Sequence, residues 1–84
     1  MEEFTVIYDG DDIIGKSFDI KKCFLTRLQE ILNDKEIYIE EKINHLDLIQ
    51  DLLKQLEKVS DNTIIKVSYN PMGAFYYKYL VTED

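Results

Sequence analysis

Two stretches of alternating side chains near the C-terminus constrain the fold more than any other feature. Residues 63–70 and 74–82 each predict a β-strand, and Asn70-Pro71-Met72-Gly73 predicts a type I turn with a bulge, pairing Asn70 with Ala74. On one face of that hairpin every pair is apolar or aromatic: Tyr69 with Phe75, Val67 with Tyr77, and Ile65 with Tyr79. The other face pairs Ser68 with Tyr76, Lys66 with Lys78, and Ile64 with Leu80. A two-residue turn would mix the two faces, so the pattern favours the bulged register.

Two amphipathic helices are predicted in the middle of the chain. The first covers residues 20–33 with Asp19 as its N-cap, and its apolar residues fall within roughly 140° of arc. They are Ile20, Phe24, Leu25, Leu28, Ile31 and Leu32. The second begins at Asn44, because extending it backwards would place Ile39 and Ile43 on its polar side. Its apolar stripe consists of Leu46, Leu48, Ile49, Leu52, Leu53, Leu56 and Val59.

The N-terminal residues predict another hairpin. Residues 4–8 are mostly β-branched or aromatic, Asp9-Gly10 is a turn signal, and Ile13-Ile14 predicts a short returning strand. Its register stays open between a two-residue turn, which pairs Val6 with Ile13, and a three-residue loop, which pairs Phe4 with Ile14. Alternation over residues 36–40 predicts one more short strand.

Together these elements predict a small single α+β domain over residues 1–84. Their order is roughly ββαβαββ, with two helices packed on an antiparallel sheet that ends in the C-terminal β-hairpin. A chain of 84 residues has room for one hydrophobic core only, so no second domain is expected.

The charge of the chain is acidic and uneven. With 17 acidic and 10 basic side chains the formal charge is −7, and residues 1–19 hold six of the acids against one lysine. A phosphate backbone requires a basic face, so direct binding to nucleic acid is disfavoured. An acidic chain instead favours a protein partner with a basic surface, because opposite charges steer the two together.

The cysteine content and the hydropathy pattern predict a cytoplasmic protein with no membrane partner. Cys23 is the single cysteine and cannot form an internal disulfide, which is typical of a reducing compartment. No apolar run approaches the roughly 20 residues of a membrane-spanning helix. The start Met1-Glu2-Glu3 also lacks the basic residues of a signal peptide.

One motif matches a phosphate-binding loop in its letters. Residues 10–17 satisfy the pattern GxxxxGKS, which in nucleotide-binding proteins follows a buried strand and opens a helix. Here Asp11 and Asp12 would lie beside the phosphates and repel them, and the chain is too short for the rest of such a fold. The match is therefore interpreted as chance, and no cofactor is expected.

No residues form a recognisable catalytic or metal-binding set. Cys23 and His45 are the single thiol and the single imidazole, and nothing in the sequence brings them together for nucleophilic catalysis. Cys23 is expected at the partly exposed edge of the apolar arc, and His45 as a packed or capping residue. Asp9, Asp11 and Asp12 lack the spacing of a calcium loop. We therefore expect no enzyme, no catalytic residue and no metal site.

The remaining classes of function are two kinds of interaction protein. The first is an inhibitor or modulator that binds a basic surface of a protein acting on nucleic acid. In size, acidity and lack of a catalytic motif, the chain resembles the small anti-defence inhibitors that phages and mobile elements encode, such as anti-CRISPR proteins and DNA mimics. Antitoxins and immunity proteins fit the same description, and the resemblance implies a bacterial or phage-infected host cell. The candidate contacts of such an inhibitor are the acidic residues Asp9, Asp11 and Asp12 and an apolar patch of Ile64, Tyr76 and Leu80. The alternative is a self-associating structural or accessory subunit, for instance a homodimer.

Overall fold

A four-stranded antiparallel sheet covered on one face by two helices forms the protein, in a computed structural model. The structure describes the backbone of residues 5–72 and 76–83 and the side chains of residues 5–69 and 78–83. In chain order the elements are β1 (Val6–Asp9), β2 (Asp12–Lys16), α1 (Ser17–Asn33), α2 (Ile39–Leu56), β3 (Ile64–Met72) and β4 (Tyr76–Glu83). The spatial strand order is β1-β2-β3-β4. The predicted α+β class is confirmed, with the order ββααββ.

The β1–β2 hairpin turns at Gly10 and Asp11. Asp9 pairs with Asp12 and Val6 with Gly15, so the predicted pairing of Val6 with Ile13 is wrong. Gly10 has a φ of 61°, which a glycine adopts without strain. A two-residue hairpin turn of type II′ needs such a residue at its first central position, and this requirement moves the turn one residue later than Asp9-Gly10.

Helix α1 begins at Ser17 rather than near residue 20, and Asp19 is not its N-cap. The first free amides of the helix are satisfied by the loop before β3: Ser17 N donates to the Thr63 carbonyl at 2.9 Å and Phe18 N to the Asp61 carbonyl at 3.1 Å. These backbone acceptors replace a side-chain cap. Asp19 instead lies in the first turn, where its negative charge is favourable beside the positive end of the helix dipole.

Helix α2 begins at Ile39, so both the start at Asn44 and the strand over residues 36–40 are wrong. Tyr38 is the extended N-cap residue, and the Lys42 amide donates to its carbonyl at 2.9 Å. Ile39 and Ile43 do lie on the exposed side, as the helical wheel predicts. The prediction of a start at Asn44 assumes that a helix buries all of its apolar residues. This assumption is wrong here, because α2 includes Ile39 and Ile43 although both are exposed.

The β3–β4 hairpin keeps its predicted faces but not its predicted register. Tyr69 pairs with Tyr79 and Val67 with Val81, whereas the sequence pattern predicts Phe75 and Tyr77 as their partners. Residues 70–72 belong to β3, so the predicted turn is wrong, and the connection falls on residues 73–75, outside the described part. Each partner moves by four positions, an even number, so among the described side chains Ile65, Val67 and Tyr79 stay on their predicted face.

One hydrophobic core lies between the helices and the sheet. It contains Ile13, Ile20, Cys23, Phe24, Ile49, Leu52, Leu56, Ile65 and Val67. The Phe24 ring meets the edge of the Tyr79 ring with 5.1 Å between centroids, which joins α1 to β4. Ser17 is also fully buried, and its hydroxyl has no hydrogen-bond partner among the described residues. Among the described residues, neither helix is long and apolar enough to cross a lipid bilayer.

Candidate protein interface

Helices α1 and α2 expose four aliphatic side chains outside the core that they form with the sheet. Leu25 is 45% exposed, Leu32 52%, Ile39 74% and Ile43 52%. We call these four residues the outer helix patch. A single exposed aliphatic residue is common, but a group of them on one face is typical of a surface that binds a partner.

The orientation of α1 follows from its contacts with the strands. Cys23 Sγ lies 3.7 Å from the Tyr8 hydroxyl of β1, and the Phe24 ring packs on Tyr79. At 100° per residue, Leu25 and Leu32 lie about 100° and 80° round the helix from Phe24, on the side opposite to Cys23. Because α1 contacts β2 and α2 contacts β4, this side of α1 is the one toward α2. Leu25 and Leu32 therefore lie at the outer margin of the α1 face next to α2, about half exposed.

The same geometry places the α2 residues of the patch. Gln55 Nε2 donates to the Tyr79 carbonyl of β4 at 2.8 Å, so this side of α2 faces the sheet. Ile43 and Ile39 lie about 120° and 160° round the helix from Gln55. Measured from fully buried Leu56, Ile43 lies about 140° and Ile39 about 100° round the helix. Ile43 is thus turned away from the core, and Ile39 lies at the margin of the core face in the first turn of α2.

The two halves of the patch meet where α1 ends and α2 begins. Residues 34–38 connect the two helices, which makes them antiparallel neighbours. Lys42 Nζ donates to the Leu32 carbonyl at 3.4 Å. This contact joins the last turn of α1 to the first turn of α2, the two turns that carry Leu32 and Ile39.

Acidic side chains surround this part of the molecule. Residues 30–43 contain five acids and two lysines, a net charge of −3. The acids are Glu30, Asp34, Glu36, Glu40 and Glu41, all exposed. Within the described ranges none of them forms an ion pair. Asp34 accepts a hydrogen bond from the Glu36 amide at 2.8 Å, which orders the connection without neutralising its charge.

The acidic residues predicted as contacts lie at the β1–β2 turn. Asp9 and Asp12 flank this turn as a pair, with Asp11 inside it. Asp9 and Asp11 are exposed and Asp12 is half-buried. Like charges across a hairpin repel each other, so a basic partner would relieve that repulsion.

The predicted apolar patch of Ile64, Tyr76 and Leu80 depends on a cross-strand pair between Ile64 and Leu80. The structure does not form that pair. Ile64 is exposed near the start of β3, whereas Leu80 is half-buried and pairs with Ser68. Four residues of strand, about 13 Å, separate Ile64 from Ser68. The backbone of Tyr76 pairs with Met72, and its side chain lies outside the described residues.

The phosphate-loop motif does not form a loop. Residues 12–16 are strand β2, and α1 follows at once. The amides of Ser17 and Phe18, which such a loop would direct at phosphate, already donate to backbone carbonyls. In the part of the chain that the structure describes, no group of three or more His, Cys, Asp or Glu side chains is placed to hold a metal ion.

The structure places Cys23 and His45 in different surroundings. Cys23 is buried against β1, not partly exposed as predicted, and His45 is exposed on α2 rather than packed. The hydrogen bond with Cys23, together with partial desolvation, raises the pKa of Tyr8 above its usual value. This pair is a packing contact at the margin of the core.

The sequence prediction misses the outer helix patch, although the sequence carries a signal for it. Ile39 and Ile43 fall on the polar side of the wheel, and the prediction begins the helix after them, at Asn44, instead of exposing them. Leu25 and Leu32 give no such signal, because they lie at the edge of a wide stripe. Comparisons with protein-family models, with curated proteins and with solved structures found no match.

Proposed function

We propose that this protein is a non-catalytic interaction module that binds a basic surface of a protein acting on nucleic acid, as its inhibitor or modulator. The observation that supports this proposal best is the outer helix patch with its exposed acidic surroundings. A partner that buries the patch gains apolar contact, and a basic rim on that partner meets the acids.

The charge of the whole chain supports a basic partner. The formal charge is −7, and the two acidic regions lie at the β1–β2 turn and around the α1–α2 connection. Basic surfaces of proteins are frequently the binding sites of nucleic acid. A small acidic protein that occupies such a surface competes with phosphate groups, which is how a DNA mimic or an anti-CRISPR inhibitor would act.

The proposal is tested by capture from a nuclease-treated bacterial lysate on the immobilised chain. We expect nucleic-acid-binding proteins to be enriched, to elute below roughly 0.5 M salt, and to lose activity when free chain is added. The matched variant carries Glu36→Lys, Glu40→Lys and Glu41→Lys, which reverse charge at exposed positions, and it should capture much less. Capture that is indifferent to salt and to these substitutions would contradict the proposal.

Self-association is the second candidate function, and the edge strand β1 favours it. Ile7 is 62% exposed and Tyr8 60% exposed on this strand of four residues. An edge strand that exposes apolar and aromatic side chains is a template for pairing with another copy. Sedimentation equilibrium would show a dimer in the native chain and a monomer in Ile7→Lys, and a native monomer at all concentrations would rule this function out.

A further inference from the structure

We infer that the outer helix patch is a docking groove for a basic amphipathic helix of the partner protein. The inference rests on the proposed function and specifies how the partner binds. The docked helix would lie along the boundary between α1 and α2 and add a layer outside the helix pair.

The dimensions of the patch suit a helix. Leu25 and Leu32 are two turns apart on α1, about 10 Å, and Ile39 and Ile43 are one turn apart on α2. Half-buried Leu28 and Leu46 contribute to the junction between the two helices. Two parallel apolar rows with a junction between them accept the i, i+3, i+4 and i+7 side chains of an incoming helix.

The charge around the patch selects a basic helix rather than a second copy of this chain. In a symmetric dimer through this face, the segment 30–43 with its net charge of −3 would oppose the same segment of the other copy. A partner helix with lysine or arginine on both sides of its apolar stripe would meet those acids instead. The same acids would repel an anionic membrane surface.

The other end of α1 limits the groove. Lys22 Nζ lies 5.3 Å from the centre of the Phe18 ring, and Lys21 forms an ion pair with Asp61 at 3.1 Å. Cations thus lie close to Phe18, the next exposed apolar residue towards the start of α1. Asp61 offsets the charge of Lys21 there, so the excess of acids lies at the other end of α1, and the positive end of the docked helix is expected beside the α1–α2 connection.

The test measures the anisotropy of fluorescent peptides on addition of the intact chain. The first peptide is an amphipathic helix with leucines on one stripe and lysines beside it. The second has the same composition with a scrambled order, and the third has glutamates in place of the lysines. We expect binding of the first peptide, at least about tenfold weaker binding of the second, and no binding of the third.

Two variants locate the peptide on the protein. The double substitution Leu32→Ser and Ile43→Ser should weaken binding of the first peptide about tenfold or more. The control Ile7→Ser removes an equally exposed isoleucine from β1 and should change binding less than about twofold. Circular dichroism of all variants verifies that they are folded.

Several results would overturn the docking inference. They are no binding of the first peptide, equal binding of the scrambled peptide, equal binding by the Leu32→Ser and Ile43→Ser variant, or a native dimer that this variant dissociates. The proposed function fails separately, when the native chain captures no basic protein from the lysate. Capture that persists in the Leu32→Ser and Ile43→Ser variant would retain the proposed function and refute the groove.

Discussion

Both sides of the helix pair carry large apolar side chains, but one side buries them and the other leaves them exposed. On the side facing the sheet, aliphatic and aromatic side chains are at most 1% exposed: Ile20, Phe24, Ile49, Leu52 and Leu56. Outside this face, Leu25, Leu32, Ile39 and Ile43 remain about half exposed or more, and we call their part of the surface the outer side. An apolar stripe therefore identifies the residues that can be buried. Which of these residues are actually buried depends on how the other elements pack against the helix.

The two sides therefore contribute differently to the free energy of folding. Complete burial of a large aliphatic side chain contributes about 1.5–3 kcal/mol to folding. The exposed side chains contribute only a fraction of that, so most of their apolar area is still in contact with water. That remaining area becomes useful when a partner covers it, and the acids nearby then restrict which partners can do so.

The largest expected effect is on the inner side. Leu52→Ala removes a fully buried side chain from the core between α2 and the sheet, and should lower the free energy of unfolding by about 2–5 kcal/mol. Urea unfolding followed by circular dichroism measures this change. The matched control is Leu32→Ala on the outer side, for which we expect less than about 1 kcal/mol. Equal losses in the two variants would remove the distinction between the two sides.

A smaller effect of opposite sign is expected at Ser17, the polar residue buried on the inner side. Its hydroxyl is fully buried and has no hydrogen-bond partner within the described ranges, so it loses its contact with water without compensation. Ser17→Ala should therefore raise the free energy of unfolding by about 1 kcal/mol. Ser60→Ala, at an exposed position, is the control and should not. Destabilisation by Ser17→Ala would mean that the hydroxyl is satisfied in solution.

The inner side is also the part that can be predicted well from the sequence. Periodicity alone places Phe24, Leu52 and Leu56 in the core, because a 3.6-residue repeat of large apolar side chains puts them on one face of a helix. Alternation likewise assigns Val67 and Tyr79 to the helix-covered face of the sheet. These patterns are local. The face assigned to a strand residue stays correct even when the predicted register is wrong, provided that the register shifts by an even number of residues.

The predictions that fail depend on contacts distant in sequence. The start of α1 is set by carbonyls of the loop before β3, and the β3–β4 register by pairs such as Tyr69 with Tyr79. The start of α2 fails for another reason: the prediction requires Ile39 to be buried. A candidate interface consists of apolar residues left out of the core, so a rule that buries all of them cannot find it.

Substitutions on the outer side should change the exposed apolar surface but not the stability of the protein. Replacing both Ile39 and Ile43 with serine removes aliphatic area that is already exposed, and should change the free energy of unfolding by less than about 1 kcal/mol. The same change should reduce the fluorescence of a dye that binds exposed apolar surface. A large loss of stability would show that these residues belong to the core.

The smallest expected effect concerns Tyr8, which lies at the margin between the two sides. It points toward α1 from the edge strand yet stays largely exposed, and its hydroxyl contacts the buried Cys23 thiol. This hydrogen bond is the main cause that raises the pKa of Tyr8. The folded state therefore favours the protonated phenol. That contribution to stability is present below the unfolded pKa of about 10, and is lost as the pH rises through the folded value.

Absorbance titration of tyrosinate isolates this group, when the Tyr8→Phe curve is subtracted from the native curve. We expect Tyr8 to ionise at higher pH in the native chain than in Cys23→Ala, which removes the hydrogen-bonding partner. Cys23→Ser keeps a hydroxyl at that position and should keep much of the shift. Identical ionisation of Tyr8 in the native chain and in Cys23→Ala would show that β1 does not hold this contact in solution. The edge strand would then belong with the exposed side of the molecule rather than with the core.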